Sequence, residues 1–158
     1  MVRIDANLIE QTSAKAKNSE RLRMNFNFHP RLDDPVSRML NAMEPGTYIR
    51  PHKHQDPDRW EVFIALRGRF VVFVFDDDGT ISDQAILDAS QGKYGVEIPP
   101  KAYHCLLSLE SGSVAYEIKE GPYMVATAKN FAPWAPPEGS PQAKTYMQGL
   151  LQKAGLKT

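Results

Sequence analysis

Along most of this chain the hydrophobic positions recur every second residue, the period of a strand with one covered face. Residues 21–30 read RLRMNFNFHP, in which Leu22, Met24, Phe26 and Phe28 alternate with Arg21, Arg23, Asn25, Asn27 and His29. This predicts a half-buried strand. Its polar side, His29 included, is expected to face solvent, with a barrel mouth as the alternative. Residues 61–67 (EVFIALR) and 69–76 (RFVVFVFD) are rich in β-branched and aromatic residues. They predict two further strands, the first with Glu61, Phe63 and Ala65 on one face. The tetrad Asp76, Asp77, Asp78 and Gly79 reads as the hairpin turn after them. ISDQAILD, YGVEI, the run from Tyr103 to Leu109 and SVAYEIKE continue the series, divided by turns at residues 90–92, 99–101 and 111–112. Short strands with a turn about every ten residues indicate a sandwich or barrel.

Three segments follow the helical period instead. Residues 5–18 carry Leu8, Ile9, Thr12 and Ala16 on one side, with Asp5 as the cap, and predict a helix on the outside of a sheet. Asp34 and Pro35 look like a helix start, and Val36, Met39, Leu40 and Met43 like its apolar face. A second helix is therefore expected, ended by Pro45 and Gly46. Residues 120–141 hold five prolines and read as a loop along the barrel. Ser140 and Pro141 then open a last helix to about residue 154, with Tyr146, Leu150 and Leu151 on one side. The expected organisation is one mainly β domain. Residues 1–45 form a helix-strand-helix segment packed on the barrel, 46–120 the barrel core, and 121–158 a Pro-rich loop and terminal helix.

The chain has 158 residues, ample for one hydrophobic core. Nineteen basic residues balance nineteen acidic ones, and the pI is about 6.9. Nothing in that balance points to nucleic acid or an anionic membrane as partner. No apolar run is long enough to span a bilayer, and the first residues lack the apolar core of a signal peptide. A cytoplasmic location is the simplest expectation. The single cysteine, Cys105, excludes an intramolecular disulfide and any multi-cysteine zinc site. It reads as a small buried residue.

The candidate chemistry lies in GTYIRPHKHQDPDRWEVFIALRG, residues 46–68. His52 and His54 project from one face if the segment is extended, as they would not from a helix. Two imidazoles beside a carboxylate suit a divalent metal of the Zn, Fe, Ni or Mn kind. His104, just after the Pro99–Pro100 turn, can face them from a neighbouring strand, with Cys105 pointing the other way.

The spacing Gly46-x5-His52-x-His54-x6-Glu61-x6-Gly68 resembles the first cupin motif, and Gly92-x6-Pro99-x-Lys101-x2-His104 the second. The run RLRMNFNFHPRLDDPVSRMLNAMEPGTYIRPHKH, with EVFIALRG, EIKEGPY and FAPWAP, is similar more narrowly to the WbuC-type cupin-fold metalloproteins. The resemblance implies a cupin jelly-roll β-barrel and one divalent metal, with His52, His54, Glu61 and His104 as ligands. It also implies a bacterial origin and a link to O-antigen and other surface polysaccharides. The gap of six residues before Glu61 exceeds the usual three or four. Asp58 and water therefore stand beside Glu61 as candidates for the fourth position, with QDPDR read as an insertion. Lys101 replaces a usual glycine and Ser108 a usual asparagine.

Face alternation puts Tyr48 and Arg50 beside the histidines, where a guanidinium would suit a carboxylate or phosphate. Tyr48, Arg50 and Glu117 are the candidate substrate-binding residues. Lys119 is a further candidate for the pocket or for support of the ligands. Trp60 and Trp134 read as packing residues. The expected function is a metal-dependent enzyme on a small polar substrate, a sugar or sugar-acid derivative. The reaction class stays open among isomerase or epimerase, hydrolase and oxygenase. A non-catalytic, metal-assisted binding or sensor module is the alternative, and a vestigial site the third reading. The partner is a small molecule, and edge pairing in a homodimer is an expectation from the architecture.

Overall fold

The structure, a computed structural model, describes residues 1–123 and 129–156. Part of the expected 120–141 loop, residues 124–128, lies outside the described residues. Two five-stranded antiparallel sheets face each other. The first runs in the order β1 (Arg23–Asn27), β2 (Val36–Met43), β9 (Ser113–Glu120), β4 (Glu61–Arg67), β7 (Gly95–Ile98). The second runs β10 (Asn130–Phe131), β3 (His52–Lys53), β8 (Tyr103–Ser108), β5 (Arg69–Phe75), β6 (Ile81–Asp88). Helix α1 (Ala6–Lys17) precedes the strands and α2 (Pro141–Lys153) follows them.

Each sheet is covered on both sides, and the alternation of residues decides what goes where. Between the sheets, Phe63 and Ala65 of β4 meet Phe70 and Val72 of β5, Leu106 of β8 and Ala115 of β9. Outside the second sheet, Val71, Phe73, Cys105 and Leu107 pack under Met147, Leu150 and Leu151 of α2. This two-sided cover explains why β5 is a nearly unbroken apolar run. Trp134 sits here too, against Phe75 and Tyr103, as a packing residue. Outside the first sheet, Leu40, Ala42 and Val114 pack under Ala16, with Leu8, Ile9 and Phe26 at the margin. Asp5 caps α1 by accepting from the Leu8 N–H at 3.0 Å.

The helix expected after Asp34 and Pro35 is the strand β2. It pairs along its whole length with β9, from Val36 opposite Glu120 to Met43 opposite Ser113, and with β1 on its other side. Helix propensities of Met, Leu and Ala are weak preferences, and two ladders of sheet hydrogen bonds override them. The segment before residue 46 is thus helix, strand, strand, and its last strand is an inner strand of the barrel. Gly68 joins β4 to β5 at φ +72°. A Cβ there would fall 2.8 Å from the Ser113 Cα, so the turn needs glycine for both conformation and space.

Among the described residues no helix is long and apolar enough to cross a membrane.

Candidate metal centre

Ring orientation around the histidines follows from the strands that carry them. β3 and β8 pair with His52 opposite His104, which brings their ring centroids to 4.7 Å. His54 follows one residue past β3, 5.1 Å from the His52 ring and 5.4 Å from the His104 ring. The turn carrying His104 is tied to this segment by the Lys101 N–H, which donates to the His54 carbonyl at 3.1 Å. Lys101 has φ +67°, so the usual glycine at this place meets a backbone need that lysine meets under strain.

The carboxylate comes from the opposite sheet. Glu61 opens β4 opposite Lys119 of β9 and is 2% exposed. Its Oε2 lies 2.9 Å from His104 Nε2 and 3.2 Å from His54 Nε2. One ligand atom from each of His52, His54, Glu61 and His104 can be chosen so that all lie within 4.8 Å of one another. Asp58 takes no part. It sits on the surface and pairs with Lys101 at 2.9 Å. The extra residues between His54 and Glu61 form the turn that carries Asp58 away from the site.

The donor set fits a divalent transition metal. His104 Nδ1 lies 2.9 Å from the Ala102 carbonyl, and His52 Nδ1 lies 3.0 Å from the Arg50 carbonyl. A carbonyl only accepts, so each Nδ1 carries a proton and Nε2 is the atom left to act as a ligand. Once its proton is released, His104 Nε2 and the Glu61 Oε2 beside it are two ligand atoms that a divalent metal could take. Burial holds His52 well below its ordinary value, and Lys129 and His104 push it the same way. Burial also lowers His54, though Glu61 opposes it. Rings held neutral are rings ready to ligate. Burial opposes ionisation of Glu61, but Lys119 and hydrogen bonds from His104 and His54 hold its carboxyl well below the usual carboxylate range.

Three of the four, His52, Glu61 and His104, line a cavity of about 490 Å³. Lys119, 4% exposed, places its ammonium 3.3 Å from Glu61 Oε1 and 3.6 Å from Glu117 Oε1. Glu117 accepts from Asn41 Nδ2 at 2.9 Å. Burial and the charge on Glu61 push the Glu117 carboxyl up to about 7. Arg50 lines the cavity, with its Nη2 donating to the Ala132 carbonyl at 2.6 Å and its guanidinium 5.3 Å from the Phe131 centroid.

Two expectations change. Tyr48 does not line the cavity. Its ring packs in the cluster under α2 and its hydroxyl donates to the Pro136 carbonyl at 3.0 Å. Residues 48–51 are not strand, so the two-residue period that placed Tyr48 beside His52 does not run through them. The polar face of β1 turns inward, and Arg23, Asn25, Asn27 and His29 all line the cavity. His29 Nδ1 accepts from the Arg38 N–H at 3.1 Å. Asn41, Lys129 and Glu138 also line it and were not among the candidates. Asn41 had a signal, as a polar residue between the apolar positions of β2, but the helical reading hid it.

A family model described as Domain of unknown function (DUF6016) matches residues 4–87, more than half of the chain. No curated protein matches the sequence. CapF, solved with the inhibitor 3-isopropenyl-tropolone, aligns at 18% identity with a TM-score of 0.55, over 72% of this chain and 32% of that one. TT1209 from Thermus thermophilus aligns at 20% identity with a TM-score of 0.53, over 78% of this chain and 100% of that one. Procruciferin, an 11S globulin from Brassica napus, aligns at 13% identity with a TM-score of 0.50, over 64% of this chain and 26% of that one. This chain thus spans about a quarter of procruciferin and a third of CapF. The likeness establishes the fold, a cupin jelly roll.

Proposed function

The chain belongs to the DUF6016 family, and we propose that it is a metal-dependent enzyme acting on a small polar substrate, a sugar or sugar-acid derivative. It would hold one Zn, Fe, Ni or Mn ion on His52, His54, Glu61 and His104. Within the cupin superfamily we assign it to the WbuC type, working in the cytoplasm of a bacterium on surface-polysaccharide precursors such as those of O-antigen. The observation that carries the reading is the buried cluster itself, three imidazoles and a carboxylate converging, with His52, Glu61 and His104 lining a cavity.

A metal held there would polarise a substrate carbonyl or activate a water molecule. The chain's own groups do the rest. The Ala102 and Arg50 carbonyls fix the tautomers of His104 and His52, and Lys119 steadies Glu61 from below. Phe63, Leu106 and Phe131 supply apolar wall to the cavity. Glu117, held by Asn41, is the cavity carboxyl placed to give or take a proton. That group favours an enzyme over a non-catalytic ligand-binding module, which would need the pocket but no proton carrier.

Elemental mass spectrometry of tag-free protein tests the reading, beside His52→Ala and His104→Ala. Near one equivalent of a transition metal, lost in both variants, is expected. No metal in the parent protein, and none taken up from added Fe(II), Zn, Ni or Mn, would overturn it.

A further inference from the structure

Charge in the cavity does not balance once its ion pairs are assigned. Glu138 engages both Arg21 and Arg23 at 2.7 Å. Lys119 is shared by Glu61 and Glu117. Arg50 and Lys129 also line the cavity, and neither has a carboxylate partner among the described residues. Arg50 is held in place on one side by the Ala132 carbonyl and the Phe131 ring, yet its Nε is buried with no acceptor among those residues. A buried guanidinium hydrogen without an acceptor is costly. Burial and the charge on Lys119 hold the Lys129 ammonium below its ordinary value, against the smaller opposing effect of Glu117, Glu61 and Glu138. On β2, in the same cavity, the buried Oδ1 of Asn41 has no donor among the described residues, although its Nδ2 is bound to Glu117.

The unfilled groups therefore come in two kinds: cationic donors beside β3 and β10, and an amide acceptor on β2. Phe131 connects the first to the histidines, since its ring lies edge-on to His52 at 6.2 Å between centroids and carries the Arg50 guanidinium. The cations thus stand one aromatic ring away from the cluster.

We propose that the cavity selects an oxyanion-bearing polyol, its carboxylate or phosphate held by Arg50 and Lys129 and a hydroxyl donating to Asn41 Oδ1. Its remaining oxygens reach the histidine–glutamate cluster. This last contact rests on the metal-site reading, whereas the oxyanion contact does not. Arg50 supplies the planar donors that match either oxyanion, and Lys129 the point charge. A neutral sugar of equal size would leave both cations unpaired, so the site discriminates by charge.

Titration calorimetry on tag-free protein, with and without one equivalent of Zn(II), tests this with three probes: gluconate, glucose 6-phosphate and uncharged sorbitol. At least one anion should bind tenfold or more tightly than sorbitol, and the preferred anion identifies the oxyanion. Arg50→Gln and Lys129→Gln should each weaken that anion tenfold or more while leaving Zn(II) binding intact. Arg50→Lys, which keeps the charge, should lose less than Arg50→Gln. Equal binding of anions and sorbitol, failure of both anions to bind, or anion binding unchanged in both Gln variants would overturn the proposal. Anion selectivity that persists without any Zn(II) uptake would overturn the metal reading and leave this inference standing.

Discussion

Lys119 lies under a metal ligand, and its removal should act in opposite directions on the metal-free protein and on its metal affinity. In the metal-free protein the ammonium is the main counter-charge to Glu61, at 3.3 Å, with both groups almost fully buried. Two carboxylates more than offset the effect of burial and hold Lys119 above its ordinary value. Lys119→Met keeps the volume and removes the charge, leaving Glu61 buried and uncompensated. Breaking a buried pair from one side costs about 3–5 kcal/mol. At roughly 2–4 °C per kcal/mol for a chain of this size, the melting temperature should fall by roughly 6–20 °C.

With metal bound, Glu61 has a second counter-charge, and Lys119 becomes a like charge close to it. A monovalent and a divalent cation roughly 6 Å apart repel by about 5 kcal/mol at an effective dielectric constant near 20. That figure is an upper bound on the relief gained by removing Lys119. The cost of Lys119→Met should therefore be smaller in the loaded protein. By the thermodynamic cycle, whatever the variant is spared on loading appears as tighter metal binding. A gain of tenfold or more in affinity, about 1.4 kcal/mol, is expected. The assay is denaturation of metal-free and loaded forms of both proteins, with metal affinity from competition against a chelator. Weaker metal binding in Lys119→Met, or equal destabilisation of both forms, would refute the argument.

Other substitutions separate the remaining claims. Glu61→Gln should abolish stoichiometric metal binding while Asp58→Asn leaves it unchanged, as read by elemental analysis, because Asp58 is on the surface and paired with Lys101. Gly68→Ala should destabilise the fold by about 2 kcal/mol or more in urea denaturation, since it meets both a strained φ and the Ser113 backbone. Cys105 should resist iodoacetamide at pH 8 until the protein is unfolded, because burial pushes its thiol up. The sign follows: the folded state favours the neutral thiol, so its contribution to stability is complete below the unfolded pKa and is lost as pH rises past it. Labelling of the native protein at the rate of the unfolded chain would contradict the buried placement.

The strands that face an apolar interior were legible from the residues, and those that face the cavity were not. In β4 and β5 the buried positions are apolar, so period two is visible. In β2 the inward positions are Ser37, Met39, Asn41 and Met43. They mix polar with apolar because they line a polar cavity, and the strand signal disappears. What remained was Met, Leu and Ala after an Asp-Pro start, which is a helix signal. β1 shows the converse. Its polar face reads correctly as one face, but a polar cavity wall and a solvated surface have the same composition, so its direction was lost. The histidine pair and His104 were legible because metal spacing is tied to strand parity. Lys129 and Glu138 were not, because they reach the cavity from chain without regular period.

The division of the ligands between the sheets has its own consequence. His52 and His104 belong to the second sheet, whose outer face is clamped by α2, with His54 one residue past β3, and Glu61 belongs to the first. A metal bound by all four would join the two sheets, so its binding energy would become energy of sheet association. The anion-selecting groups are also divided, with Arg50 and Lys129 beside the second sheet and Asn41 on the first. A ligand that satisfies both walls and the cluster would close the same gap from the cavity side. Metal and anion should therefore bind with positive cooperativity, each paying part of the cost of ordering the other's wall. This follows from placement of the residues alone and needs no movement of the barrel.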